Sequence, residues 1–482
     1  MSIIEQILNL LLDLVIAAFT FLFEFVEQLV SGVPKRRRQF NAEFVSAGSL
    51  LSSSSFGFCL TGKSSLTVKD SYQNAIIIGG TGTGKSSIVL IPSLLRMSSS
   101  FIIHDPSGEL FSKSSGYLQS IGYSVKTLNY SKWDSSSGYN PLARAKTNSE
   151  IQKVASLLVR AGLGKDSKDP FWNTQATALL TMLITILKTQ PKEFQNLFNV
   201  RQLLNQLGGN PKAVDSLFSR YANEILFSEY KSFIAYDQKV VSGIIATCKA
   251  ALQIFSDESV ATVTSFDSLD FQQFRNERVA LFIQNAVSDQ KYFSVLTSIF
   301  FEQFFAFILS RFPDKNEQDI FFLIDECSSL FLPTLPLAVA NVRKHRSGIM
   351  LLLQDFAQLI NIYGRNDADA IRANCYAKQY LTGQSHETTK ELESLLGKYE
   401  FIEEKGEKIV RPLMTNDEIR TIKMNRAILI CGNQKPVLAM LRPYYKNRKL
   451  RSYSEIVPAE MVGGVQSQII PILELEEAKP DA

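Results

Sequence analysis

The sequence has few residues of the kinds that build disulfides and metal sites. Its 482 residues include five cysteines and three histidines. The cysteines are scattered, odd in number and form no C-x-x-C pair, which argues against a disulfide framework or a zinc site and favours a reducing compartment. The histidines (His104, His345 and His386) lie far apart in the chain and suggest no metal cluster, so ordinary structural roles are expected for them.

The sequence also lacks a large excess of charge of either sign, because its 51 Lys and Arg residues are nearly balanced by 47 Asp and Glu residues. A net charge of +4 gives no global signature of nucleic-acid binding, so any contact with DNA has to be local. One local candidate is a basic and aromatic stretch near the C-terminus, for which a solvated terminal strand is an equally good interpretation. Its residues are Arg442, Tyr444, Tyr445, Lys446, Arg448, Lys449, Arg451 and Tyr453.

The N-terminal segment lacks Lys and Arg before residue 35, so the positively charged start of a secretory signal is missing. Residues 3–30 nevertheless form an apolar helical pattern with one polar stripe. The longest uncharged run, Leu14–Phe23, is too short to span a bilayer alone. The basic cluster Lys35–Arg38 fits the cytoplasmic side of a membrane. Residues 1–38 are therefore predicted to associate with a membrane, spanning it beside neighbouring copies or lying on it; a soluble amphipathic helix is the alternative.

The chain does contain one strong motif, over residues 74–97. It consists of a predicted strand, a glycine-rich loop and a predicted helix. Residues 79–86 fit G-x-x-x-x-G-K-[ST], in which backbone N–H groups and the helix N-terminus surround phosphate oxygens. Lys85 is predicted to contact the β- and γ-phosphates, and Ser86 to ligate Mg²⁺. The residues predicted to bind the nucleotide are Gly79, Gly80, Thr81, Gly82, Thr83, Gly84, Lys85, Ser86 and Ser87.

The same pattern occurs a second time, at residues 57–64. Three bulky side chains in that loop, those of Phe58, Cys59 and Leu60, would obstruct a backbone cradle. The residues after the loop alternate like a strand. We interpret residues 56–69 as a β-hairpin that turns near Thr61-Gly62. The phosphate loop is therefore expected at residues 79–86, which follow a β-branched strand and precede a helix.

Polar side chains at further strand ends supply what an ATPase needs beside its phosphate loop. Asp325 and Glu326 end an apolar strand pattern and are predicted to hold Mg²⁺ through water and to polarise the attacking water. Gln354 ends another strand pattern and is predicted to sense the γ-phosphate, or else to cap its loop. Arg343 is a candidate arginine finger for the nucleotide of a neighbouring subunit, or else part of a solvated cationic face. The predicted catalytic residues are Lys85, Asp325, Glu326, Gln354 and Arg343, and the predicted metal ligands are Ser86 and Asp325.

Strand and helix patterns alternate along most of the chain, which predicts an α/β fold with an open, mainly parallel sheet. The strand patterns lie at Ile76–Ile78, Ser100–Asp105, Gly122–Asn129, Arg278–Gln284, Asp319–Asp325, Gly348–Leu353, Tyr376–Thr382, Ala427–Cys431 and Pro436–Leu441. Strand signals disappear over one stretch, which predicts an all-α inserted domain. The predicted divisions are a membrane-associating N-terminal helix with a basic cluster at 1–38, a nucleotide-binding domain in two parts at 39–147 and 266–455, the inserted domain at 148–265, and an acidic, disordered tail at 456–482.

Further short motifs follow one another along the chain in a fixed order, namely Asp105–Glu109, Tyr139–Leu142, Pro170–Trp172, Asp325-Glu326, Arg343, Gln354–Leu359, Ala373–Cys375 and Arg411–Ile419. By these motifs the chain resembles the type IV secretion coupling proteins of the TraG/TraD class over roughly residues 56–450. Ser107 stands where that family usually has Lys.

The resemblance implies a hexameric, RecA-like P-loop motor on the cytoplasmic face of the bacterial inner membrane. Such a motor uses ATP and Mg²⁺, is stimulated by DNA, and feeds relaxase-bound DNA or protein cargo to a secretion or conjugation channel. Two alternatives stay open. One is a soluble DNA translocase of the FtsK/HerA type, and the other is an NTP-gated adaptor that recruits cargo without pumping it.

Overall fold

The structure is a computed structural model that describes residues 40–163, 170–402, 407–461, 463–464 and 469–475. It also describes Val15, Ala18, Phe19 and Leu22, which are helical and exposed. The remainder of the predicted N-terminal helix lies outside the described residues.

The chain separates into two compact units. One comprises the described parts of Met1–Glu43 and Glu391–Thr415, and the other those of Phe44–Lys390 and Asn416–Ala482. The larger unit holds the predicted inserted domain and most of both predicted parts of the nucleotide-binding domain, whereas residues 391–415 of the second part belong to the smaller unit. The finer division of the chain stays a prediction.

A nine-stranded sheet organises the larger unit. Its strands are β1 (Ala75–Ile78), β2 (Ser100–His104), β3 (Ser124–Leu128), β4 (Val279–Ile283), β5 (Ile320–Ile324), β6 (Ser347–Leu353), β7 (Ala377–Tyr380), β10 (Arg426–Cys431) and β11 (Val437–Met440). They lie side by side in the order β11-β10-β7-β1-β6-β5-β2-β4-β3. The seven strands from β7 to β3 are parallel neighbours, and β10 and β11 add an antiparallel edge.

The parallel strands are apolar because helices cover both faces of the sheet. Every residue of β1, β4 and β5 is buried, as continuous runs of Ile, Leu, Val, Ala and Phe require. All nine strands coincide with predicted strand patterns, and the predicted mainly parallel α/β sheet is confirmed.

Helices fill most of the remaining chain. Those in the sheet-forming segments are Val68–Ser71, a π-helical turn Ser86–Leu90 that continues as Ile91–Arg96, Glu109–Ser120, Pro141–Arg144, Gln273–Asn276, Gln290–Ser310, Leu335–Asn341, Phe356–Tyr363, Arg365–Ala373, His386–Leu396, Asn416–Arg420 and Arg448–Ser454. Between β3 and β4 lie the helices that we call the helical insertion, Asn148–Leu163, Pro170–Leu187, Leu197–Gly209, Pro211–Tyr221, Glu224–Ile234, Gln238–Ala251 and Glu258–Ser265.

One helix among the described residues, Gln290–Ser310, is long and apolar enough to cross a membrane. However, 56% of its most apolar part is buried inside the protein. The rings of Phe304 and Phe305 lie 5.7 and 5.0 Å from the ring of Phe322 on β5. These contacts make the helix part of the core that covers one face of the sheet.

The smaller unit contains a hairpin of two antiparallel strands, β8 (Lys398–Ile402) and β9 (Lys408–Pro412). Asn41 forms an antiparallel bridge to Tyr399. The sequence-based strand patterns do not include this hairpin. Charged residues such as Glu400 and Lys408, which form an ion pair of 2.7 Å, interrupt its apolar alternation.

The second copy of the phosphate-loop pattern forms a turn closed by isolated bridges, and the predicted β-hairpin over residues 56–69 is wrong at its end, because a helix begins at Val68. Cys59 forms an antiparallel bridge to Ser65, and the Leu66 N–H donates to the Phe58 carbonyl (2.9 Å). The three bulky loop residues are wholly buried, whereas Lys63 is exposed. A loop filled with its own core side chains offers no cradle for phosphate.

The described parts of the predicted disordered tail differ from that expectation, because they bond to the body of the larger unit. The Ala459 N–H donates to the Ser115 hydroxyl (3.0 Å), and the Gly464 N–H donates to the Ser136 carbonyl (2.9 Å). Residues Ile469–Leu475 lie on the helical insertion. Pro471, Leu473 and Leu475 are partly buried and give this part of the tail an apolar face that composition alone understates.

Candidate nucleotide site

The phosphate loop connects β1 to a helix at the carboxyl ends of the parallel strands, which we call the carboxyl edge. The Gly79 N–H donates to the Leu353 carbonyl at the end of β6 (3.1 Å). A Cβ atom on Gly79 would lie 2.6 Å from the Cβ of Leu381, so this close approach requires glycine. Gly84 has a φ of 91°, which also favours glycine. The π-helical turn Ser86–Leu90 then directs its first N–H groups toward the loop.

Lys85 folds over this loop. Its ammonium group donates to the carbonyls of Gly79 (2.5 Å) and Gly80 (3.2 Å). Burial lowers the pKa of Lys85, and the carboxylates of Asp325 and Glu326 raise it again in part. The predicted cation and the two predicted carboxylates therefore share one electrostatic environment.

Asp325 follows β5 and faces a concentration of negative charge. Burial raises the pKa of its carboxyl group to about 7, the carboxylates of Glu326 and Asp105 add to the rise, and Lys85 opposes it. A cation beside Asp325 would relieve this repulsion and favour the ionised carboxylate. The position suits a ligand of a divalent metal.

Glu326 and Gln354 meet across the neighbouring strands β5 and β6. The Gln354 amide group donates to both carboxylate oxygens of Glu326, at 3.3 and 3.2 Å, and the Ser328 hydroxyl donates to one of them at 2.7 Å. Glu326 has a φ of 56°, a left-handed backbone that non-glycine residues adopt mainly where a site demands it. The pair can connect a catalytic carboxylate to a group that contacts the γ-phosphate.

The loop after Gln354 is capped by other residues. Asp355 accepts from the Ala357 N–H (2.7 Å), and the Gln358 side chain accepts from the Asp355 N–H (3.4 Å) in a capping box. The Gln358 side chain also accepts from the Gln354 N–H (3.1 Å). The Gln354 side chain is therefore directed to Glu326, and the alternative role as a loop cap belongs to its neighbours.

His104 is a member of this edge that the sequence analysis treats as an ordinary structural residue. Its Nδ1 atom lies 2.6 Å from the Asp325 carbonyl oxygen. Burial lowers the pKa of His104 to about 4, so the neutral ring donates from Nδ1 and holds the backbone of Asp325. Asp105 follows and accepts from the Phe111 N–H (2.8 Å), which caps the helix Glu109–Ser120. Only the sheet order, with β2 beside β5, reveals this arrangement.

The loop after β7 also supports the site and has no sequence motif. The Gly80 N–H donates to the Thr382 carbonyl (3.2 Å), and the Gln384 amide donates to the Ile78 and Leu381 carbonyls (2.8 Å each). These contacts hold the start of the phosphate loop against the neighbouring strand.

The donor atoms at the carboxyl edge fit Mg²⁺ bound together with phosphates. The Ser86 hydroxyl and the Asp325 carboxylate are oxygen ligands, which Mg²⁺ prefers. Among the described residues, no group of three or more His, Cys, Asp or Glu side chains could hold a metal by itself. Magnesium commonly takes one or two protein ligands and completes its shell with phosphate and water, so the residues present suit a metal that arrives with the nucleotide.

Arg343 lies at the opposite edge of the sheet. It precedes β6, whereas Gln354 follows it, and a seven-residue strand spans roughly 20 Å. The exposed Arg343 guanidinium donates to the Gln73 side chain (3.3 Å), just before β1. Arg346, in contrast, pairs with Asp319 at 2.7 Å and is committed to the fold. Arg343 therefore does not join the other predicted site residues within one chain.

The remaining motifs of the resemblance support the packing of the chain. The Tyr139 hydroxyl donates to the Gln303 side chain (2.5 Å), and the Asn140 side chain caps the helix Pro141–Arg144. Trp172 packs its ring against Gly243, where an added Cβ atom would lie 2.6 Å from it.

The basic and aromatic stretch near the C-terminus is helical, so its interpretation as a terminal strand is wrong. Arg448–Ser454 is a helix, and the ring of Tyr453 stacks on that of Tyr117 at 4.0 Å. Tyr445 remains 51% exposed. Contact of this surface with DNA stays a prediction.

Comparison with known families gives one extended match. A family model described as "Type IV secretory system Conjugative DNA transfer" matches residues 35–464. The chain is 21% identical to Protein VirD4 of Agrobacterium fabrum over 79% of its length and 60% of that protein. It is 21% identical to the conjugal transfer protein TraG of Escherichia coli over 72% of its length and 61% of that protein. The chain thus spans about 60% of the length of these relatives.

Two solved structures share the fold. The bacterial conjugative coupling protein TrwBdeltaN70, in complex with sulphate, has a TM-score of 0.68 at 20% identity and covers 85% of this chain and 96% of its own. TrwB in complex with ADP and Mg²⁺ has a TM-score of 0.67 at 19% identity, with 86% and 96% covered. The predicted RecA-like α/β architecture agrees with these matches.

Proposed function

We propose that this chain, which belongs to the type IV secretory system conjugative DNA transfer family, is an ATP-hydrolysing motor that couples cargo to a secretion channel. The observation that carries the proposal is the meeting of Lys85, Glu326 and Gln354 at the carboxyl edge, beside Asp325. A protein that only binds nucleotide needs the phosphate loop but has no use for the second carboxylate. The complex of TrwB with ADP and Mg²⁺ supports the choice of ligand.

The phosphate-binding half of the site acts by charge. Lys85 exchanges its contacts with the loop carbonyls for the β- and γ-phosphates, and the loop N–H groups surround the same oxygens. Ser86 and Asp325 would hold Mg²⁺, which neutralises charge on the phosphates when it is bound.

The hydrolytic half of the site is the pair of Glu326 and Gln354. Glu326 accepts a hydrogen bond from the attacking water and orients it for in-line attack. The Gln354 amide group donates to that carboxylate and would donate to the γ-phosphate of a bound nucleotide, so loss of the phosphate would change the partner of the amide group. This exchange is a route by which hydrolysis could change the conformation of β6 and of the helix Phe356–Tyr363.

Family membership also directs the proposal for partners and location. The cargo would be DNA with its relaxase, or protein, and the partners would be components of the secretion channel. Residues 1–38 would place the motor on the cytoplasmic face of the inner membrane. The active form would be a homohexamer, which supplies each nucleotide with an arginine from a neighbour.

Replacement of Glu326 tests the activity. Glu326→Gln removes the carboxylate that orients water but keeps the size of the side chain, so ATP turnover should fall by about 10²–10⁴-fold. Binding of a fluorescent ATP analogue should remain. Glu229→Gln is the matched control, because the same change on the exposed surface of the helix Glu224–Ile234 should leave turnover intact. Near-normal turnover of Glu326→Gln would contradict the role of Glu326.

The same assay separates the alternatives. Turnover that rises with single-stranded DNA supports a motor, whereas ATP binding without turnover in the unmodified chain supports the NTP-gated adaptor. Flotation of the chain with and without residues 1–38 separates a membrane-associated motor from a soluble translocase of the FtsK/HerA type.

A further inference from the structure

The tail segment, residues Ile469–Leu475, is bound to the helical insertion through the side chain of one residue. The Asn199 amide N–H donates to the Pro471 carbonyl (2.9 Å), and its carbonyl oxygen accepts from the Leu473 N–H (3.0 Å). The two bonds are made to main-chain groups two residues apart. Asn199 therefore binds main-chain groups of an extended peptide.

Asn199 is fully buried on the helix Leu197–Gly209. A buried carboxamide that loses its partners costs free energy, because its donor and acceptor are removed from water. Part of its donor capacity goes to the Asn196 side chain (3.2 Å), and the tail segment receives the rest. The insertion thus presents a polar group whose geometry matches a peptide backbone.

From Pro471 to Leu475, the side chains of the tail segment alternate in their exposure. Pro471, Leu473 and Leu475 are partly buried, whereas Ile472 and Glu474 between them are exposed. This period of two is the pattern of an extended chain that lies on a surface with one face. The inward positions form a Pro-x-Leu-x-Leu pattern.

A cavity of about 250 Å³ lies beside this contact. The insertion contributes Gln190, Leu217, Arg220 and Tyr221 to its walls, among others, and the tail segment contributes Leu473, Glu474 and Leu475. The walls of the cavity are mostly polar, but Leu217 and Tyr221 supply apolar surface for the leucines, and Arg220 lines the same space as Glu474. The cavity leaves room for larger inward side chains than the tail segment supplies.

We propose that the helical insertion carries a docking groove for extended peptides of the Pro-x-Leu-x-Leu type, and that the tail segment is its tethered, displaceable ligand. Main-chain recognition by Asn199 provides affinity, and the leucine positions provide selectivity. A tethered ligand has an effective concentration on the order of millimolar, so weak contacts keep it bound while a better peptide replaces it.

A labelled peptide tests the groove in the full chain. The probe is a fluorescein-labelled peptide of the sequence QIIPILELEE, from residues 468–477. The double variant Leu473→Asp/Leu475→Asp disengages the resident tail without a change to the insertion. Fluorescence anisotropy should show that the probe binds this variant at least about tenfold more tightly than the unmodified chain, in which the tethered tail competes.

A second change addresses the recognition by Asn199. Asn199→Asp, introduced into the double variant, keeps the acceptor but removes the donor to the peptide carbonyl, and should weaken probe binding by about tenfold or more. Asn425→Asp is the matched control on an exposed residue and should have no effect. Thermal unfolding of each variant verifies that the insertion remains folded.

Hydrogen exchange in the unmodified chain provides an independent measurement. The Leu473 N–H should exchange slowly, and an excess of unlabelled peptide should accelerate its exchange by displacement. Equal affinity of the probe for the unmodified chain and the double variant would overturn the proposal. Absence of binding to both, or binding that survives Asn199→Asp, would overturn it as well.

Discussion

At the residue scale, local motifs identify the groups that meet at the carboxyl edge. Lys85 is recognisable because the phosphate loop is contiguous in sequence, and Glu326 and Gln354 because each ends an apolar strand pattern. His104 could not be recognised in this way. Its contact with the Asp325 carbonyl depends on the pairing of β2 with β5, which no short segment encodes.

The two copies of the phosphate-loop pattern provide a matched test at this scale. Lys85→Ala removes an ammonium group that lies over the loop, so binding of ATP should fall by two orders of magnitude or more, on the order of 3 kcal/mol. Lys63→Ala makes the same change in the second copy, where the side chain is exposed, and should leave ATP affinity unchanged. Equilibrium titration with a fluorescent ATP analogue measures both. Loss of affinity in Lys63→Ala would show that the two copies are misassigned.

At the element scale, strands are predictable where both faces of the sheet are covered. Continuous apolar runs such as those of β4 and β5 identify buried parallel strands from sequence alone. The β8–β9 hairpin is not identified in this way, because charged residues break its pattern. The acidic composition of the tail predicts disorder, yet Pro471, Leu473 and Leu475 of the tail segment are partly buried on the helical insertion.

A glycine within the helix Glu109–Ser120 shows how closely one element approaches another. A Cβ atom on Gly116 would lie 1.9 Å from the Val457 carbonyl oxygen, so Gly116→Ala should force the backbone apart. We expect a loss of about 1–3 kcal/mol in the free energy of unfolding, measured by denaturant titration. Gly209→Ala is the control at the end of another helix, because a Cβ atom on Gly209 would have no neighbouring atom within 4 Å. This variant should be neutral or stabilising by up to about 1 kcal/mol. Equal stability of the two variants would contradict the close approach.

At the scale of the whole molecule, the position of Arg343 separates two groups that the sequence places in one predicted site. Gln354 lies at the carboxyl edge, and Arg343 lies at the opposite edge next to Gln73. One chain cannot bring this arginine to its own phosphate loop. If Arg343 acts on a nucleotide, the nucleotide belongs to a neighbouring copy.

Mixing of inactive variants tests that role. Arg343→Ala should lower the ATP turnover of the oligomer by roughly 10³-fold, the usual contribution of an arginine finger. Mixed oligomers with Lys85→Ala should recover part of the activity, because the second variant supplies an intact arginine to the intact site of the first. Lys344→Ala alters the adjacent exposed cation and should keep full turnover. Full turnover of oligomeric Arg343→Ala would end the proposal.

The membrane proposal concerns residues 1–38 and is also a property of the whole chain. The full chain should float with vesicles that contain anionic lipids, because an apolar helix followed by Lys35–Arg38 combines insertion with attraction to headgroups. A variant without residues 1–38 should remain at the bottom of the gradient and keep its ATP turnover. Co-flotation of the shortened chain would assign membrane binding to another part of the protein.

The sequence by itself determined the phosphate loop, the strands that are apolar along their whole length, and the helical character of the insertion, because these features depend on contiguous residues. Only the tertiary structure decided which loops share an edge of the sheet. It brought the Gln354 side chain into contact with Glu326 and the His104 ring into contact with the Asp325 carbonyl. It also placed Arg343 at the opposite edge of the sheet from the nucleotide site of its own chain. It also placed the tail segment on the helical insertion, because hydrogen bonds to Asn199 join residues more than 270 positions apart.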